Sequence, residues 1–283
     1  MHTSSKLALV LISTAIALQS TTVHSQETTS SQARRPVITL KESTRMRRVN
    51  KSIWSLNSLN PVFVLYDDGL VIFKKDKAQV EYSSVDLGPQ EMKTLMEKFK
   101  IDEFLKLDNS YSTNNEFNQP VNFIKYWQGS KVKKVRVIGT IRDDEKDRSN
   151  SPKAFLHLFD QVISFKHKNA HTWVPYKLKI SLYPQTNSQG EPVLWPSDWP
   201  DLNHKTTKKR TDPDLSHSYE LYLDGIHKEK LEQMLSKLKT NQAVSINGKP
   251  WYIAPVRYIL PNEKMWDTEK SKGVWDTIKK AFK

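Results

Sequence analysis

The segment WPSDWPDL, residues 195–202, contains the residue types found in carbohydrate-binding sites. Exposed tryptophan rings stack on sugars, and nearby carboxylates hold sugar hydroxyls. Trp195, Asp198 and Trp199 have this chemistry. A proline follows each tryptophan and holds the chain extended, so the rings could instead be buried as a clasp between two halves of the protein. We favour the clasp and keep the three side chains as candidate binding residues.

Three histidines are the best candidates in the sequence for a transition-metal site. His167 and His171 stand four positions apart in HKNAH and would share one face of a helix, and His157 precedes them. Lys166 and Lys168 flank His167, however, and their charges would repel a metal cation. We therefore predict no metal site and no other cofactor.

The run KVKKVRV, residues 131–137, carries the densest positive charge in any segment predicted to fold. In a strand, Lys134 and Arg136 would share one face and could form a stripe that binds anions. Lysines also protect the edges of sheets from unwanted pairing. We favour edge protection and retain anion binding as the alternative.

The sequence contains none of the strong catalytic motifs. It has no G-x-S-x-G elbow, no H-E-x-x-H, no phosphate-binding P-loop and no G-x-G-x-x-G after a predicted strand. It also has no cysteine, which excludes disulfides, thiol chemistry and thiolate metal sites. These absences favour a protein that is not an enzyme.

The first 25 residues have the pattern of a secretory signal peptide. Lys6 supplies a positive charge, residues 7–18 are apolar, and Val23 and Ser25 suit a cleavage site before Gln26. The apolar run is too short to cross a membrane, which takes about 20 residues. We predict an exported protein, periplasmic or secreted, with no transmembrane segment after cleavage.

The formal net charge is +13, and much of the excess falls in residues 26–57. This segment has low hydrophobicity, and we predict a basic, flexible linker. Outside the cytoplasm, such charge is suited to an anionic envelope component or a protein partner rather than to nucleic acid. A solvated linker that only aids solubility is the alternative.

The pattern of residues 58–183 predicts an α+β lobe. It contains two hairpins, one turning at Asp68-Gly69 and one at Gly129-Ser130, and two amphipathic helices that begin after Gly88 and Ser151. Strands with interspersed helices, without regular βα alternation, favour a mostly antiparallel sheet with helices on one face.

The rest of the chain is predicted to form a connector, a smaller lobe and a tail. Residues 184–217 are rich in proline, asparagine, serine and charge and form the connector. Residues 218–266 form a small αβ lobe with a hairpin at Asn247-Gly248. Residues 267–283 form a basic amphipathic tail, which either lies on a membrane or, as we favour, docks on the body or frays.

Five segments in this order resemble a family of exported bacterial proteins whose function is uncharacterised. They are LYDDGLVIF, LGPQEMKTLMEKF, SFKHKNAHTWVP, SDWPDL and LYLDG. The resemblance covers residues 61–265. It implies an α+β architecture and export, and it brings no catalytic residues.

We therefore predict an exported, non-enzymatic binding or interaction protein of the envelope or periplasm. The alternative is a hydrolase that acts on an envelope polymer, because folding can assemble an active site from residues scattered along the sequence.

Overall fold

The computed structural model describes residues 34–43, 60–74, 81–114, 116, 119–185, 188–212, 215–239, 241–254 and 256–263. Their strands form two mostly antiparallel sheets, accompanied by a few helices, so the predicted α+β class is confirmed. In the described residues, no helix is both long enough and apolar enough to cross a membrane.

The first sheet has eight strands within the described residues, in the order β5-β7-β6-β1-β2-β3-β4-β8. The strands are β1 (Pro36–Ser43), β2 (Phe63–Tyr66), β3 (Leu70–Lys74), β4 (Tyr82–Asp86), β5 (Ser110–Ser112), β6 (Val121–Gln128), β7 (Lys131–Ile138) and β8 (His171–Thr172). Neighbouring strands are antiparallel except β5 and β7, which run parallel.

Strand β1 lies inside the segment 26–57, for which the sequence predicts a flexible linker. That prediction is wrong for residues 36–43, because β1 pairs with β2 on one side and with β6 on the other. Ile38 and Leu40 are fully buried in the core. The run PVITL is too short to stand out between charged neighbours, although its alternating apolar residues suit a half-buried strand.

The turn between β2 and β3 differs from its prediction by one residue. Asp67, Asp68 and Gly69 form a three-residue loop, not the two-residue turn expected at Asp68-Gly69. Gly69 has φ 90°, and a Cβ there would lie 2.4 Å from the backbone oxygen of Leu87. Glycine is therefore required by both the turn and its close neighbour.

The other two predicted hairpin turns are found as expected. Gly129 joins β6 to β7 with φ 61°, as the first central position of a type II′ turn requires. Asn247 and Gly248 both have positive φ, 52° and 71°, as a type I′ turn requires.

Helices cover one face of the first sheet. They are α1 (Pro89–Phe99), α2 (Ile101–Leu105), α3 (Glu145–Ser149) and α4 (Lys153–Ile163). The two predicted amphipathic helices are α1 and α4. In α4, one stripe of buried side chains packs against the sheet: Phe155, Leu158, Phe159 and Val162. Burial of this stripe fixes the helix on the sheet.

The second sheet has the strand order β10-β13-β14-β9-β12-β11, and β15 also pairs with β9. The strands are β9 (Lys177–Pro184), β10 (Val193–Leu194), β11 (Lys208–Asp212), β12 (Leu215–Asp224), β13 (Val244–Ile246), β14 (Lys249–Ile253) and β15 (Arg257–Ile259). A 3-10 turn, Gly225–His227, leads from β12 into α5 (Lys228–Ser236).

The boundary between the sheets falls before β9, not at residue 184 as the sequence predicts. β9 pairs with β12, β14 and β15 and is central to the second sheet. Its alternating pattern is the same for a strand of either sheet, so it could not reveal the partner. The predicted connector, 184–217, also contributes β10 and β11. The predicted tail, 267–283, lies outside the described residues.

Hydrogen bonds from Asn60 tie the two sheets together. The side-chain Nδ2 of Asn60 donates to the backbone oxygen of Tyr258 at 2.7 Å, and its Oδ1 accepts from the backbone N–H of Tyr258 at 3.2 Å. Both groups are buried. The Asn60 amide therefore pairs with a strand of the second sheet as a backbone peptide would.

Two buried tyrosines of the first sheet strengthen this junction. The hydroxyl of Tyr82 donates to the backbone oxygen of Pro61, and that of Tyr66 donates to Pro261. Burial raises the pKa of both tyrosines, so they stay protonated donors. The rings of Tyr82 and Tyr258 meet edge to face at 5.7 Å. One core cluster accordingly contains side chains of both sheets.

The junction yields a stability prediction for Asn60→Ala. The substitution leaves a buried N–H and a buried carbonyl of Tyr258 without their partner, and we expect it to lower the free energy of unfolding by about 2–4 kcal/mol. Urea unfolding measures this change. The control is Asn203→Ala at an exposed turn, expected to change stability by less than about 0.5 kcal/mol. Equal stability of the two variants would contradict the prediction.

Candidate functional site

The structure buries one tryptophan of WPSDWPDL and partly buries the other. Trp199 is 4% exposed and belongs to the core cluster shared by both sheets. Trp195 packs edge-on against it, with ring centroids 4.9 Å apart, and donates its Nε1 hydrogen to the backbone oxygen of Pro200. The burial that we favoured is confirmed for Trp199, whose ring is not a free stacking platform.

Asp198 remains exposed beside the buried ring. Its Oδ2 lies 3.2 Å from the Nζ of Lys230, and the hydrogen bond from Lys230 lowers the pKa of the carboxyl. The same Nζ lies 5.4 Å from the ring centroid of Trp199. Asp198 and Lys230 therefore form a polar cover at the edge of Trp199, and a binding role for this segment stays a prediction.

The three histidines contact two different elements, α1 for His157 and His167 and β4 for His171. The Nε2 of His157 is 2.8 Å from the backbone oxygen of Lys98, that of His167 is 3.3 Å from Glu91, and that of His171 is 3.2 Å from the Ser84 hydroxyl. Because α4 ends at Ile163, the helical spacing considered for His167 and His171 does not exist. Among the described residues, no group of three or more His, Cys, Asp or Glu side chains could hold a metal ion.

Asp147, on α3, is a buried carboxylate. Its side chain accepts hydrogen bonds from the hydroxyl of Thr113, the side-chain amide of Asn114 and the backbone N–H of Thr140. Burial alone would raise its pKa, but these hydrogen bonds and the nearby charge of Lys146 outweigh burial and lower it. An ionised carboxylate that organises three segments in this way has a structural role.

Glu220, on β12, is another buried carboxylate. Its Oε1 lies 2.6 Å from the Nζ of Lys179 and 3.1 Å from the Nη1 of Arg210. The hydroxyl of Tyr222 lies 3.4 Å from Oε2. Glu220 is thus paired with two cations, and in the described residues it and Asp147 belong to separate networks, one on each sheet.

Lys134 and Arg136 point away from the helices that cover the first sheet. Their neighbours along β7, Val135 and Val137, are fully buried on the helical side. Since side chains alternate along a strand, Lys134 and Arg136 share the opposite face. Arg136 is exposed, and its Nε donates to the hydroxyl of Ser110 on β5 at 2.7 Å.

The neighbouring strand β6 extends this face with side chains that the sequence analysis missed. Its register places Phe123 opposite Arg136, Lys125 opposite Lys134, and Trp127 opposite Val132. The alternation Phe123, Lys125, Trp127 was visible in VNFIKYWQ, but its pairing with KVKKVRV could be read only from the hairpin register.

Strand β1 adds a further cation, because Lys41 pairs opposite Phe123. The resulting surface, here called the basic sheet face, has six members: Lys41, Phe123, Lys125, Trp127, Lys134 and Arg136. The alternation of β1, β6 and β7 places no Asp or Glu on this face. Within these three strands, four cations and two aromatic rings therefore share one face of the sheet.

Edge protection explains only part of this charge. Within the described residues, β5 pairs with β7 from Arg136 to Ile138, so Lys134 lies where β7 has a neighbour on one side only. Lys125, in contrast, lies on β6, which has β1 on one side and β7 on the other. A lysine on an interior strand does not protect an edge. The basic sheet face therefore calls for another explanation.

Comparisons with known proteins add nothing to this geometry, because no family model, curated protein or solved structure matches the chain. The resemblance to exported bacterial proteins rests on its motifs alone and stays a prediction.

The burial of Trp199 gives a direct test of the clasp interpretation. We expect Trp199→Ala to lower the free energy of unfolding by about 3–5 kcal/mol, because it removes a large side chain from the core. Trp195→Ala should cost less, since Trp195 is only half-buried. Thermal unfolding followed by circular dichroism compares the two. A Trp199→Ala protein as stable as wild type would contradict the structural role.

Proposed function

We propose that the protein is an exported, non-enzymatic binding protein that holds an acidic polysaccharide of the bacterial envelope on its basic sheet face. The observation that carries this proposal is the direct opposition of Lys125 and Lys134 on a sheet face that also carries Lys41, Arg136 and two aromatic rings. Both side chains are partly exposed.

The opposed lysines have an energetic consequence. Like charges directly opposite each other on neighbouring strands repel each other. Lys41 and Arg136 increase the local positive potential, because each pairs with Phe123 across a strand boundary. An anion bound over the face would offset this repulsion.

The spacing of the cations suits a polymer rather than a single small anion. Successive residues on one face of a strand are about 7 Å apart. Arg136 and Lys134 therefore present charges one step apart along β7, and Lys125 lies across from Lys134 on β6. A chain with a regularly repeated negative charge can contact several of these groups at once.

The aromatic members favour a polymer made of sugars. Phe123 and Trp127 lie on either side of Lys125 on the same face of β6, and aromatic rings provide apolar surfaces against which sugar rings pack. The Nζ of Lys134 is 4.8 Å from the ring centroid of Phe123, so cation and ring form one unit. Acidic groups would meet the cations while sugar faces meet the rings.

The predicted export of the protein also supports an envelope ligand, and this prediction comes from a different part of the chain. Residues 1–25 carry the signal-peptide pattern, and they lie outside the described residues. The net charge of +13 matches the anionic character of envelope polymers and lipids. The periplasm or the medium is therefore the proposed compartment.

The ligand proposal predicts the behaviour of Lys125→Glu/Lys134→Glu. We expect this double variant to bind polygalacturonate, a soluble acidic polysaccharide, at least about tenfold more weakly, because two attractive charges become repulsive. Isothermal titration calorimetry measures the affinity. Added salt should weaken wild-type binding, since salt screens the attraction between the polymer and partly exposed cations.

Lys93→Glu/Lys153→Glu is the matched control, because it changes the net charge equally at exposed positions of α1 and α4. It should retain most of the affinity. Equal loss in both double variants would show that net charge alone attracts the polymer and would contradict the proposal. Trp127→Ala should weaken polygalacturonate more than inorganic polyphosphate, which has no sugar ring.

Export is tested separately in the native host. We expect the mature protein to begin at Gln26, because the signal-peptide pattern places cleavage after Ser25. N-terminal mass spectrometry of periplasmic and culture fractions measures the start of the chain. Recovery of the protein with Met1 to Ser25 attached, among soluble cytosolic proteins, would contradict export.

A further inference from the structure

Two loops beside the second sheet expose three apolar side chains. Val174 and Tyr176, which precede β9, are 57% and 68% exposed, and Ile226, which follows β12, is 82% exposed. Scattered exposed apolar residues are ordinary, but a contiguous group marks an interaction surface. We call these three side chains the apolar loop patch.

Contacts between the loop backbones hold the patch together. The N–H of Gly225 donates to the backbone oxygen of Tyr176 at 3.0 Å, so Ile226 follows directly after a residue bonded to the other loop. A Cβ on Gly225 would lie 1.5 Å from the backbone oxygen of Pro175. Only glycine permits this approach, which brings the two loops into contact.

The loop that carries Val174 and Tyr176 is anchored on the first sheet. The N–H of Trp173 donates to the backbone oxygen of Tyr82 at 2.9 Å, and the Trp173 ring packs against the shared core. Pro175 is buried between the two exposed residues. The outward direction of Val174 and Tyr176 is therefore set by a fixed backbone.

The size and chemistry of the patch fit a lipid surface better than a protein. Three such side chains offer roughly 400 Å² of surface, about half of what each partner buries in a typical stable protein complex. Insertion into a bilayer requires no such minimum area, since each inserted aliphatic side chain adds its own contribution to the binding free energy. Tyrosine is also a preferred residue at the boundary between lipid and water.

Charge selects the kind of lipid. The Nζ of Lys177 lies 5.2 Å from the ring centroid of Tyr176, but it is paired with the carboxylate of Asp224, so attraction to anionic lipid must come from the charge of the whole chain. The chain as a whole has a net charge of +13, which attracts it to anionic headgroups. Apolar insertion combined with electrostatic attraction supplies the two contributions that stable peripheral binding requires.

We propose that the apolar loop patch inserts into the headgroup region of an anionic lipid bilayer. Val174 and Ile226 supply the apolar contact, and Tyr176 lies at the interface with its hydroxyl toward water. This membrane contact is separate from the basic sheet face and does not depend on the polysaccharide proposal.

Vesicle flotation tests the contact with the full chain. Wild type should bind vesicles of phosphatidylcholine mixed with phosphatidylglycerol and should bind pure phosphatidylcholine weakly. Tyr176→Ser/Ile226→Ser should weaken binding to the mixed vesicles by about tenfold or more, because it removes most of the apolar area. Leu194→Ser is the matched control, since Leu194 is 78% exposed but lies on β10, and it should bind as wild type does.

A spectroscopic readout tests insertion without removing the patch. Because the chain has no cysteine, Ile226→Cys and Leu194→Cys can each be labelled at a single site with an environment-sensitive dye. Mixed vesicles should shift the emission of the dye at position 226 to shorter wavelength and leave the dye at position 194 unchanged. Equal shifts at both positions, or no shift at position 226, would overturn the proposal.

Two further outcomes separate this proposal from its alternatives. If the patch variants bind vesicles as wild type does but become monomeric in sedimentation while wild type is dimeric, a second copy of the chain covers the patch and the lipid proposal fails. The patch variants should bind polygalacturonate normally. A loss of polysaccharide binding in these variants would show that one surface serves both ligands and would overturn the separate membrane contact.

Discussion

The pairing of the Asn60 amide with the backbone of Tyr258 is the interaction on which the arrangement of the two sheets depends. It joins positions 198 residues apart and satisfies polar groups that water does not reach. Tyr66 adds a hydroxyl bond to the backbone oxygen of Pro261 at the same junction, and the ring of Tyr82 packs on that of Tyr258. Burial of apolar side chains brings the sheets together but does not specify how they are aligned, whereas these hydrogen bonds select one alignment. The shared core around Trp199 then packs in that alignment.

This alignment divides one face of the first sheet into two parts. On β2 and β3 the face is apolar, and Val64 and Ile72 are buried in the core shared with the second sheet. On β1, β6 and β7 the same side of the sheet forms the basic sheet face. Thr39 marks the boundary, because it pairs with Val64 on one side and with Lys125 on the other and is nearly buried. The position of the second sheet therefore sets the extent of the proposed ligand surface.

Local features of the fold could be predicted from the sequence, whereas partners distant in sequence could not. The Asn247-Gly248 turn and the stripe of α4 follow from backbone geometry and helical spacing, which are local properties. β9 was assigned to the wrong sheet, because alternation reveals a buried face but not the strand beside it. The candidate site shows the same limit. Lys134 and Arg136 could be recognised in KVKKVRV, but the place of Lys125 and Lys41 on the same surface followed only from the registers of β6 and β1.

The position of β1 has a consequence for the order in which the chain assembles. β1 is the earliest described strand, yet its two neighbours are β2 and β6, and β6 ends at Gln128. Ribosomal synthesis releases the chain from its amino end, so the edge of β1 that pairs with β6 stays unpaired until Gln128 has emerged, although β2 follows soon after β1. Folding that depends on such distant contacts is slow. For the export that we propose, this delay would keep the chain unfolded until it has crossed the membrane.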